Sequence, residues 1–586
     1  MEGVNSTKTV MIESNLFQIP IEEYEKSMDA GKKKEILNLL KNSNNLHSRR
    51  EFIEINSDLH CACKEGDIEL IQILLCETIE DSSNDFVYKI DKTNKTASLF
   101  KIKNDIDHLI IPRNVTHEST EYLITSITGI GIHTKSIEFV ENSEVKTIYG
   151  YIFNILGIEE LHLPASLNEL KEGWSHGTSK LTKISIPHLN DKFIFKEDKF
   201  LLGKMNPESD EFNIFLFARR DIEEISIPSN IKVISSNAFE ECRNLRKVEI
   251  PIKSNLQKIE SFAFMYSNIE ELHFPASLNE LEEGWCRATK KLKKISISHM
   301  NDNFIFKDEK ILLGKMNLKS DEFDILHFAR RDIEELSIQS NIKIISSNAF
   351  ELCENLRKVE IPMNSNLQKI GKNSFLSTNI EEIFIPSKVT KISKNAFFDC
   401  HKLKKVEIPM NSNLQKISEN SFSSTNIEEI FIPSNVTKIC KNAFYSCESL
   451  KKVEIQMNSN LKIIEENAFS FSKIERIFIP KKVTKIGANA FCHCHELKVV
   501  EIQTDSNLQI IGQGAFTYSK IERILIPSKI TQINKRAFFN CRNLQIIEIP
   551  EKSKLQTLIL SDFYGCQKLI IMIPTSLRKV AYLSSI

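Results

Sequence analysis

Apolar residues recur at fixed intervals along most of this chain. The segment IEEIFIPSKVTKISKNAFFDCHKLKKVEIP begins at Ile380 with alternating apolar and polar positions, continues through a proline, and then spaces its apolar residues more widely. Alternation over a few residues predicts a short strand with one buried face. Proline cannot donate to a sheet ladder, so it ends the strand. The pattern therefore predicts one short strand in each repeat.

The predicted strands are spaced regularly. Their starts alternate between 23 and 24 residues apart, and nearly the same sequence returns after 47 residues, at Ile427. A coil of this length cannot bury its own apolar face, so it must stack on neighbours of the same shape. The sequence predicts a β-rich repeat solenoid with a long parallel sheet on one face. Within each coil, residues such as Ile383, Ile385, Ile392 and Phe397 should be buried.

Two segments interrupt this spacing, and each adds about 17 residues. The first, FIFKEDKFLLGKMNPESDEFNIFLFARRD, begins at Phe193, and a close copy begins 111 residues later, at Phe304. The two tryptophans, Trp174 and Trp285, are separated by the same 111 residues. The chain therefore contains a long duplication superimposed on the short repeat. The insertions could be enlarged coils or hairpins that project from the stack, and we favour hairpins.

The repeat carries a recognisable resemblance. The pattern I-x-x-I-x-I-P-x-x-V-x-x-I-x-x-x-A-F-x-x-C-x-x-L resembles the leucine-rich repeat of the BspA-like surface-antigen family, from about Ile106 to Pro574. This resemblance implies a right-handed leucine-rich-repeat solenoid that works in adhesion or protein binding at a cell surface. Further upstream, DLHCACKEGDIELIQILL, from Asp58 to Leu75, resembles one ankyrin repeat, and GKKKEILNLL, from Gly31, echoes its second helix. We interpret this part as a small α-helical cap or docking module.

These patterns divide the chain into four parts. The expected parts are a helical ankyrin-like segment at 1–84, a β-rich lead-in with degenerate first repeats at 85–157, the leucine-rich-repeat solenoid at 158–574 with insertions near 187–221 and 298–332, and a C-terminal tail at 575–586. Atypical terminal coils are expected, because an uncapped end would expose the core.

Composition narrows the possible functions. The 77 Lys and Arg residues against 78 Asp and Glu residues leave a net charge of -1, which argues against a nucleic-acid or membrane-surface binder. The N-terminal residues lack the basic and apolar regions of a signal peptide, and no apolar run has the ~18 residues of a membrane span. These features favour a cytoplasmic protein, whereas the family resemblance favours the cell surface.

Charged pairs follow the strand starts in alternation. From Ile222 to Leu450, Ile-type starts are followed by two glutamates, as at Glu381–Glu382, and Leu-type starts by two basic residues, as at Lys404–Lys405. Strands in a stack lie about 4.8 Å apart, and opposite charges on neighbouring strands stabilise a sheet, whereas like charges destabilise it. We interpret the alternation as a ladder that fixes the register of the coils, in preference to a set of catalytic acids.

The centre of each strand suggests a binding surface. Strand parity puts Phe384 on the outward face, between two buried isoleucines, and its counterparts form a stripe of alternating apolar and acidic residues. Exposed aromatic residues in a regular row often mark an interaction surface. The alternatives are that these rings only cover neighbouring side chains, or that duplication copied them passively. The candidate protein-binding residues are Phe384, Glu407, Phe431, Glu454, Phe478, Glu501 and Leu525.

Cysteines offer little support for metal or disulfide chemistry. Those in the repeat recur mostly 47 residues apart, which is two coils or about 10 Å, beyond the ~7 Å Cα separation that a disulfide tolerates. They should be free buried thiols. Metal binding at Cys61 and Cys63, or in the Cys-His-Cys-His run from Cys492 to His495, is the less favoured interpretation.

The sequence contains no recognisable catalytic motif. We therefore predict a non-enzymatic protein with no catalytic residue, metal or cofactor, which binds one or more protein partners. The partner's identity and the oligomeric state stay open. The first function is a BspA-like adhesion or interaction surface. The alternatives are an intracellular ankyrin and leucine-rich-repeat adaptor or scaffold and, third, an enzyme built into the insertions.

Overall fold

The computed structural model describes residues 9–10, 19–20, 62, 67–81, 86–153, 157–567, 569–572 and 579–581. They belong to two compact units. One comprises Met1–Ile222 with Asn230–Asn244, and the other Glu223–Ser229 with Leu245–Ile586. Both units consist mainly of short β-strands from successive coils. The predicted β-rich repeat solenoid is thus confirmed.

The N-terminal part of the first unit contains one short helix, Ile68–Leu74, and an antiparallel strand pair, Thr9–Val10 and Ile19–Pro20. The Asp67 carboxylate begins the helix by accepting a hydrogen bond from the Leu70 amide at 2.9 Å, as an N-cap does. This helix is the part of the predicted ankyrin-like segment that can be compared with the structure. The residues from Asp58 to Cys61 and from Gly31 to Leu40 lie outside the described residues. One short helix does not support an ankyrin repeat.

Two sheets form the body of the first unit. In one, parallel and antiparallel strands are mixed; in the other, all four strands are parallel. The mixed sheet contains Glu77–Asp81, Phe86–Asp91, Thr96–Ile102, Asn114–His117, Thr120–Ile127, Thr147–Ile148 and Glu169–Leu170. The parallel sheet contains His108–Ile111, Ser136–Phe139, Glu160–His162 and Lys183–Ser185.

The first insertion forms an antiparallel hairpin that leads back into the stack. Strand Phe193–Lys196 pairs with Phe200–Gly203, which pairs in turn with Ile214–Ala218. The last of these strands then runs parallel to Val233–Ile234. The extra residues therefore form an antiparallel meander, whose third strand rejoins the parallel arrangement.

The second unit has one wide face of three- and four-residue strands, which we call the front sheet. All its strands are parallel, and they fall into a group of four and a group of eleven. The first group is Glu224–Ser226, Lys247–Glu249, Glu271–Phe274 and Lys294–Ile297. The second is Glu335–Ser337, Lys358–Glu360, Glu382–Phe384, Lys405–Glu407, Glu429–Ile432, Lys452–Ile455, Arg476–Ile479, Val499–Ile502, Arg523–Leu525, Ile546–Glu548 and Ile570–Met572.

A second face of the same unit, which we call the back sheet, is made mostly of two-residue strands. Lys258–Ile259 pairs in parallel with Glu280–Leu281, and a twelve-stranded sheet begins with the antiparallel meander of the second insertion. Its strands are Phe304–Lys307, Ile311–Gly314, Ile325–Ala329, Ile344–Ile345, Lys369–Ile370, Lys391–Ile392, Lys416–Ile417, Lys438–Ile439, Ile463–Ile464, Lys485–Ile486, Ile510–Ile511 and Gln532–Ile533. Near the end of the unit are strands Thr557–Ile559 and Lys579–Ala581 and the 3-10 helix Leu560–Phe563.

A continuous column of phenylalanines forms the core of the second unit. Neighbouring rings are stacked with centroids 4.7–5.5 Å apart, from Phe350 through Phe397 to Phe563. Phe397, Ile385 and Ile392 are completely buried, and Ile383 is nearly so, which confirms the predicted inward positions. Because each coil contributes one ring, the core depends on correct stacking throughout.

Asparagines occupy the left-handed turn position before most of these rings. Asn348, Asn373, Asn395, Asn420 and Asn442 all have φ between 52° and 63°, and asparagine adopts this left-handed backbone more readily than most other residues. The Asn420 amide donates to the Asn395 oxygen at 3.0 Å, and Asn395 donates to Asn373 at 3.0 Å. Where the N-A-F or N-S-F sequence recurs, it therefore places the core ring at the same point of its coil.

The repeat cysteines are buried free thiols, as predicted. The Cys400 thiol donates to the Phe375 carbonyl at 2.9 Å and lies 3.3 Å from the Thr378 hydroxyl oxygen. Burial raises the pKa of Cys400 to about 12, so the thiol stays protonated and behaves as a small apolar side chain. Cys61 and Cys63 lie outside the described residues.

Candidate functional site

The predicted binding residues lie along the front sheet in the register that the 47-residue period implies. Phe384 is aligned with Glu407 on the next strand, Phe431 with Glu454, and Phe478 with Glu501. Leu525 is aligned with Glu548 in the same way. We call this row, from Phe384 to Glu548, the front stripe.

The side chains of the front stripe point away from the core. Phe384 is half-buried between the buried residues Ile383 and Ile385, and the rings of Phe431 and Phe478 are half-buried in the same way. Each ring thus rests partly on the sheet and leaves part of its surface to solvent. Such a ring can add apolar contact area when another molecule covers it.

The glutamates of the front stripe are held by basic residues of the same sheet. Lys405 forms an ion pair with Glu407 on its own strand, and the Lys452 ammonium lies 3.0 Å from Glu454. Toward the C-terminus the pairing crosses to the next strand, where Arg476 Nε lies 3.3 Å from the Glu501 carboxylate. These contacts fix the carboxylates between the apolar side chains.

Acidic and basic residues of neighbouring strands are aligned as predicted, but some lysines form their ion pair with a different glutamate from the predicted one. Glu382 is aligned with Lys405, and Lys405 with Glu429. The hydrogen bond that the Lys405 ammonium donates to Glu407 raises the pKa of Lys405, and the charges of Glu382 and Glu429 on the flanking strands raise it further. Lys405 therefore has acids on three sides, but its ion-pair partner is Glu407, two residues later on its own strand.

The C-terminal part of the front stripe lines a shallow groove of about 520 Å³. Phe478, Glu501, Leu525 and Glu548 are among its lining residues, together with Arg523. The structure therefore brings three of the seven predicted residues into one concave surface. The other four, Phe384, Glu407, Phe431 and Glu454, continue the same row without contributing to this groove.

The corresponding positions nearer the N-terminus are polar and hydrogen-bonded to one another. In the first unit, His162 Nδ1 lies 2.7 Å from the Ser185 hydroxyl. In the second unit, His273 Nδ1 lies 3.0 Å from Ser296, and Ser337 donates to Glu360 at 2.7 Å. The alternation of apolar and acidic residues is thus a property of the later coils.

Sequence reasoning missed a row of methionines beside the front stripe. Met363, Met410 and Met457 are 86%, 71% and 75% exposed, and each follows the outward glutamate of its strand by three residues. Flexible, polarizable methionine side chains suit adaptable contact surfaces. The signal was available, because P-M-N-S-N or Q-M-N-S-N recurs with the 47-residue period.

A second missed feature is an aromatic cluster on another part of the coil. The His493 ring is stacked between Phe471 and Tyr518, with centroids 4.6 Å from each. Burial against these rings, together with the neighbouring His495, lowers the pKa of His493. From the sequence alone, the only role suggested for His493 was that of a metal ligand. Within the described residues, no three His, Cys, Asp or Glu side chains come close enough together to hold a metal ion.

A solenoid of short parallel strands, with an apolar column at every coil and a regular outward row, defines a leucine-rich-repeat protein. The family model described as "BspA type Leucine rich repeat region (6 copies)" matches residues 96–197, 210–320, 322–451, 415–545 and 462–583. The chain belongs to this family. The matched residues begin after the segment compared with an ankyrin repeat, which gains no support from this match.

Similar folds occur among solved structures. One is a leucine-rich repeat protein from Bacteroides ovatus, with 18% identity, coverage of 84% of this chain and 99% of that chain, and a TM-score of 0.38. A leucine rich cell surface protein from Faecalibacterium prausnitzii has 17% identity, coverage of 87% and 95%, and a TM-score of 0.28. The pneumococcal vaccine antigen PcpA has 16% identity, coverage of 87% and 99%, and a TM-score of 0.33. A search of curated proteins gave no match.

No helix in the described part of the chain combines the length and the apolar character that crossing a bilayer requires.

Proposed function

We propose that this protein is a non-enzymatic leucine-rich-repeat protein that binds another protein through the front stripe. The observation that carries this proposal is the regular spacing of the half-buried rings of Phe384, Phe431 and Phe478 along the outward face of a parallel sheet. Half-exposed rings held in fixed positions lose little conformational freedom when a partner covers them. Ion-paired glutamates between the rings would select the partner's orientation more than they would add affinity.

The exposed methionines extend this proposed surface. Met363, Met410 and Met457 lie in coils that contribute Glu360, Glu407 and Glu454 to the front sheet. A partner that covers both rows would contact rigid rings and adaptable thioethers together. Aromatic residues and methionine are enriched in protein interfaces, whereas lysine and glutamate are depleted there.

The experiment compares three versions of the full chain in a capture assay with cell-surface and cytosolic extracts. The variant F384S/F431S/F478S should lose at least about tenfold of the captured partner, because each ring contributes on the order of 1 kcal/mol. The matched control Y266S/F471S/Y518S removes three partly exposed rings elsewhere and should capture normally. Full capture by a folded front-stripe variant would exclude this surface.

The resemblance to BspA-like surface antigens implies adhesion or antigenic display at a cell surface, which we propose as the setting for this binding. The leading alternative is an intracellular adaptor or scaffold. Labelling the surface of intact cells with a membrane-impermeant reagent separates the two, since only a surface protein is labelled. Labelling confined to lysed cells would favour the adaptor.

A further inference from the structure

The back sheet carries a row of lysines on neighbouring strands. Lys369, Lys391, Lys416 and Lys438 occupy the same position in four successive strands and are aligned with one another. Adjacent strands lie about 4.8 Å apart, and like charges directly opposite each other destabilise a sheet. We call these four residues the lysine row.

Only the ends of the lysine row are neutralised. Lys369 forms an ion pair with Glu283 at 2.8 Å, and Lys438 forms one with Glu465 at 2.7 Å. In the described part of the chain, no carboxylate lies within 4.0 Å of the two central ammonium groups, those of Lys391 and Lys416. Two adjacent cations are thus held side by side in an exposed position.

A buried hydroxyl lies at the base of the same row. Ser393 is 6% exposed, and its hydroxyl has no hydrogen-bond partner in the structure. An unsatisfied buried hydroxyl is unfavourable, because it has lost its contacts with water. Together with Lys391 and Lys416, Ser393 lines a groove of about 380 Å³. Two lysine side chains and a hydroxyl without a partner therefore line the same groove.

The remaining lining residues fit an elongated polyanion. They include three more lysines (Lys369, Lys372 and Lys394), two further serines (Ser347 and Ser418) and two carboxylates (Glu283 and Glu419). Both carboxylates are already engaged, Glu283 by Lys369 and Ser347 and Glu419 by Lys394. Positive charge therefore dominates the groove, and it continues across several strands instead of ending at a single pocket.

We propose that the lysine row binds a linear sulfated polysaccharide that lies across the strands, with one sulfate group over Ser393. Sulfate oxygens accept hydrogen bonds from Lys391, Lys416 and the Ser393 hydroxyl, and neighbouring sulfates meet the rest of the row. Free hydroxyls of the sugar can donate to serine oxygens along the groove.

The composition of the groove favours a polysaccharide over single-stranded nucleic acid. Proteins that bind single strands combine basic residues with aromatic side chains on which bases stack. The lining residues are lysine, serine and glutamate, without an aromatic ring. The net charge of the whole chain, -1, is also unlike that of a dedicated nucleic-acid binder.

Isothermal titration of the full chain with a heparin octasaccharide at about 150 mM salt tests the proposal. The wild type should bind, and K391Q/K416Q should bind about tenfold more weakly, as expected from the loss of two exposed charge pairs. The control K404Q/K451Q removes the same charge from the residues just before two strands of the front sheet and should bind like the wild type. S393A should bind a few-fold more weakly, while its thermal stability stays equal or rises because an unsatisfied hydroxyl is removed.

Three results would overturn the proposal: equal binding by K391Q/K416Q and the wild type, equal binding of desulfated oligosaccharide, or tighter binding of a single-stranded DNA of matched charge. The first of these would show that the lysine row is not the site, and the other two would show a different ligand. The F384S/F431S/F478S variant should bind the octasaccharide normally, so failure of protein capture and failure of polysaccharide binding remain distinguishable.

Discussion

The two sheets of the second unit are built from the same coils but arrange their charges in opposite ways. On the front sheet, Lys405 is aligned with acids on both neighbouring strands, Glu382 and Glu429. On the back sheet, Lys391 is aligned with lysine on both neighbouring strands, Lys369 and Lys416. One repeat therefore produces a balanced face and an unbalanced one.

This difference shows that stacking of the coils does not by itself require opposite charges on neighbouring strands. Alternating charges on the front sheet demonstrate that duplication of two coils as a unit can avoid like-charge contacts. The same duplication has preserved like-charge contacts on the back sheet, so stacking does not require their removal. A row of aligned lysines lowers stability, and natural proteins keep such destabilising features mainly at functional sites. Its recurrence over four strands therefore supports a role in binding.

The largest expected effect concerns the core that both sheets share. Phe397→Ala removes one ring from the stacked column and should lower the free energy of unfolding by about 3–5 kcal/mol, measured by chemical denaturation. Phe398→Ala, at a half-buried neighbouring position, is the control and should have a much smaller effect. A loss below about 1 kcal/mol for Phe397→Ala would contradict the stacked register.

Charge reversals on the two sheets should change stability in opposite directions. Lys405→Glu on the front sheet would bring Glu382, Glu407 and Glu429 against a fourth acid and should lower the Tm by about 1–2 °C. Lys391→Glu on the back sheet would place an acid between Lys369 and Lys416 and should raise the Tm by a similar amount. Differential scanning calorimetry at low salt measures both.

A measurement at high salt is the control for these two charge reversals. Because exposed charges are screened within a Debye length, both Tm shifts should shrink at about 1 M salt. Shifts of the same sign for Lys405→Glu and Lys391→Glu would show that the two sheets do not differ in their charge balance.

The smallest expected effect is a pH dependence that belongs to the front sheet. Acidic neighbours raise the pKa of Lys358, Lys405 and Lys452 above the ordinary value of 10.5. In that situation the folded state holds the proton more tightly than the unfolded state does, so the stabilisation is fully present below pH 10.5 and is lost as the pH rises through the folded pKa. Denaturation midpoints should therefore fall above pH 10.5, and less steeply in a K358Q/K405Q/K452Q variant. If the denaturation midpoint of this variant falls as steeply above pH 10.5 as that of the wild type, other groups cause the loss of stability.

Much of the fold could be predicted because its signals are local and repeated. The Ile383-x-Ile385 alternation and the 23- and 24-residue spacing determine which residues face inward, and the buried column that includes Phe397 follows from them. The insertion from Phe193 was harder to predict, since its strands read as apolar runs whose pairing direction depends on the turns between them.

The candidate sites were predicted unevenly for a physical reason. The front stripe follows from strand parity, so Phe384 and Glu407 could be placed by counting. The lysine row depends on which two-residue segments pair, and the intervals between Lys369, Lys391 and Lys416 are 22 and 25 residues. Unequal intervals hide that alignment until the coils are built. Exposure of Met410 was hidden similarly, because methionine is more often a core residue.

The in-register charges of the front sheet also restrict how the chain can change in length. Between Glu335 and Lys452, removing 47 residues takes out one acidic and one basic coil together and leaves the neighbouring strands of this range with opposite charges. Removing a single coil instead would bring two acidic or two basic strands into contact. Growth and shrinkage by pairs of coils is therefore the tolerated route, and relatives of this protein should differ in size by multiples of the longer period.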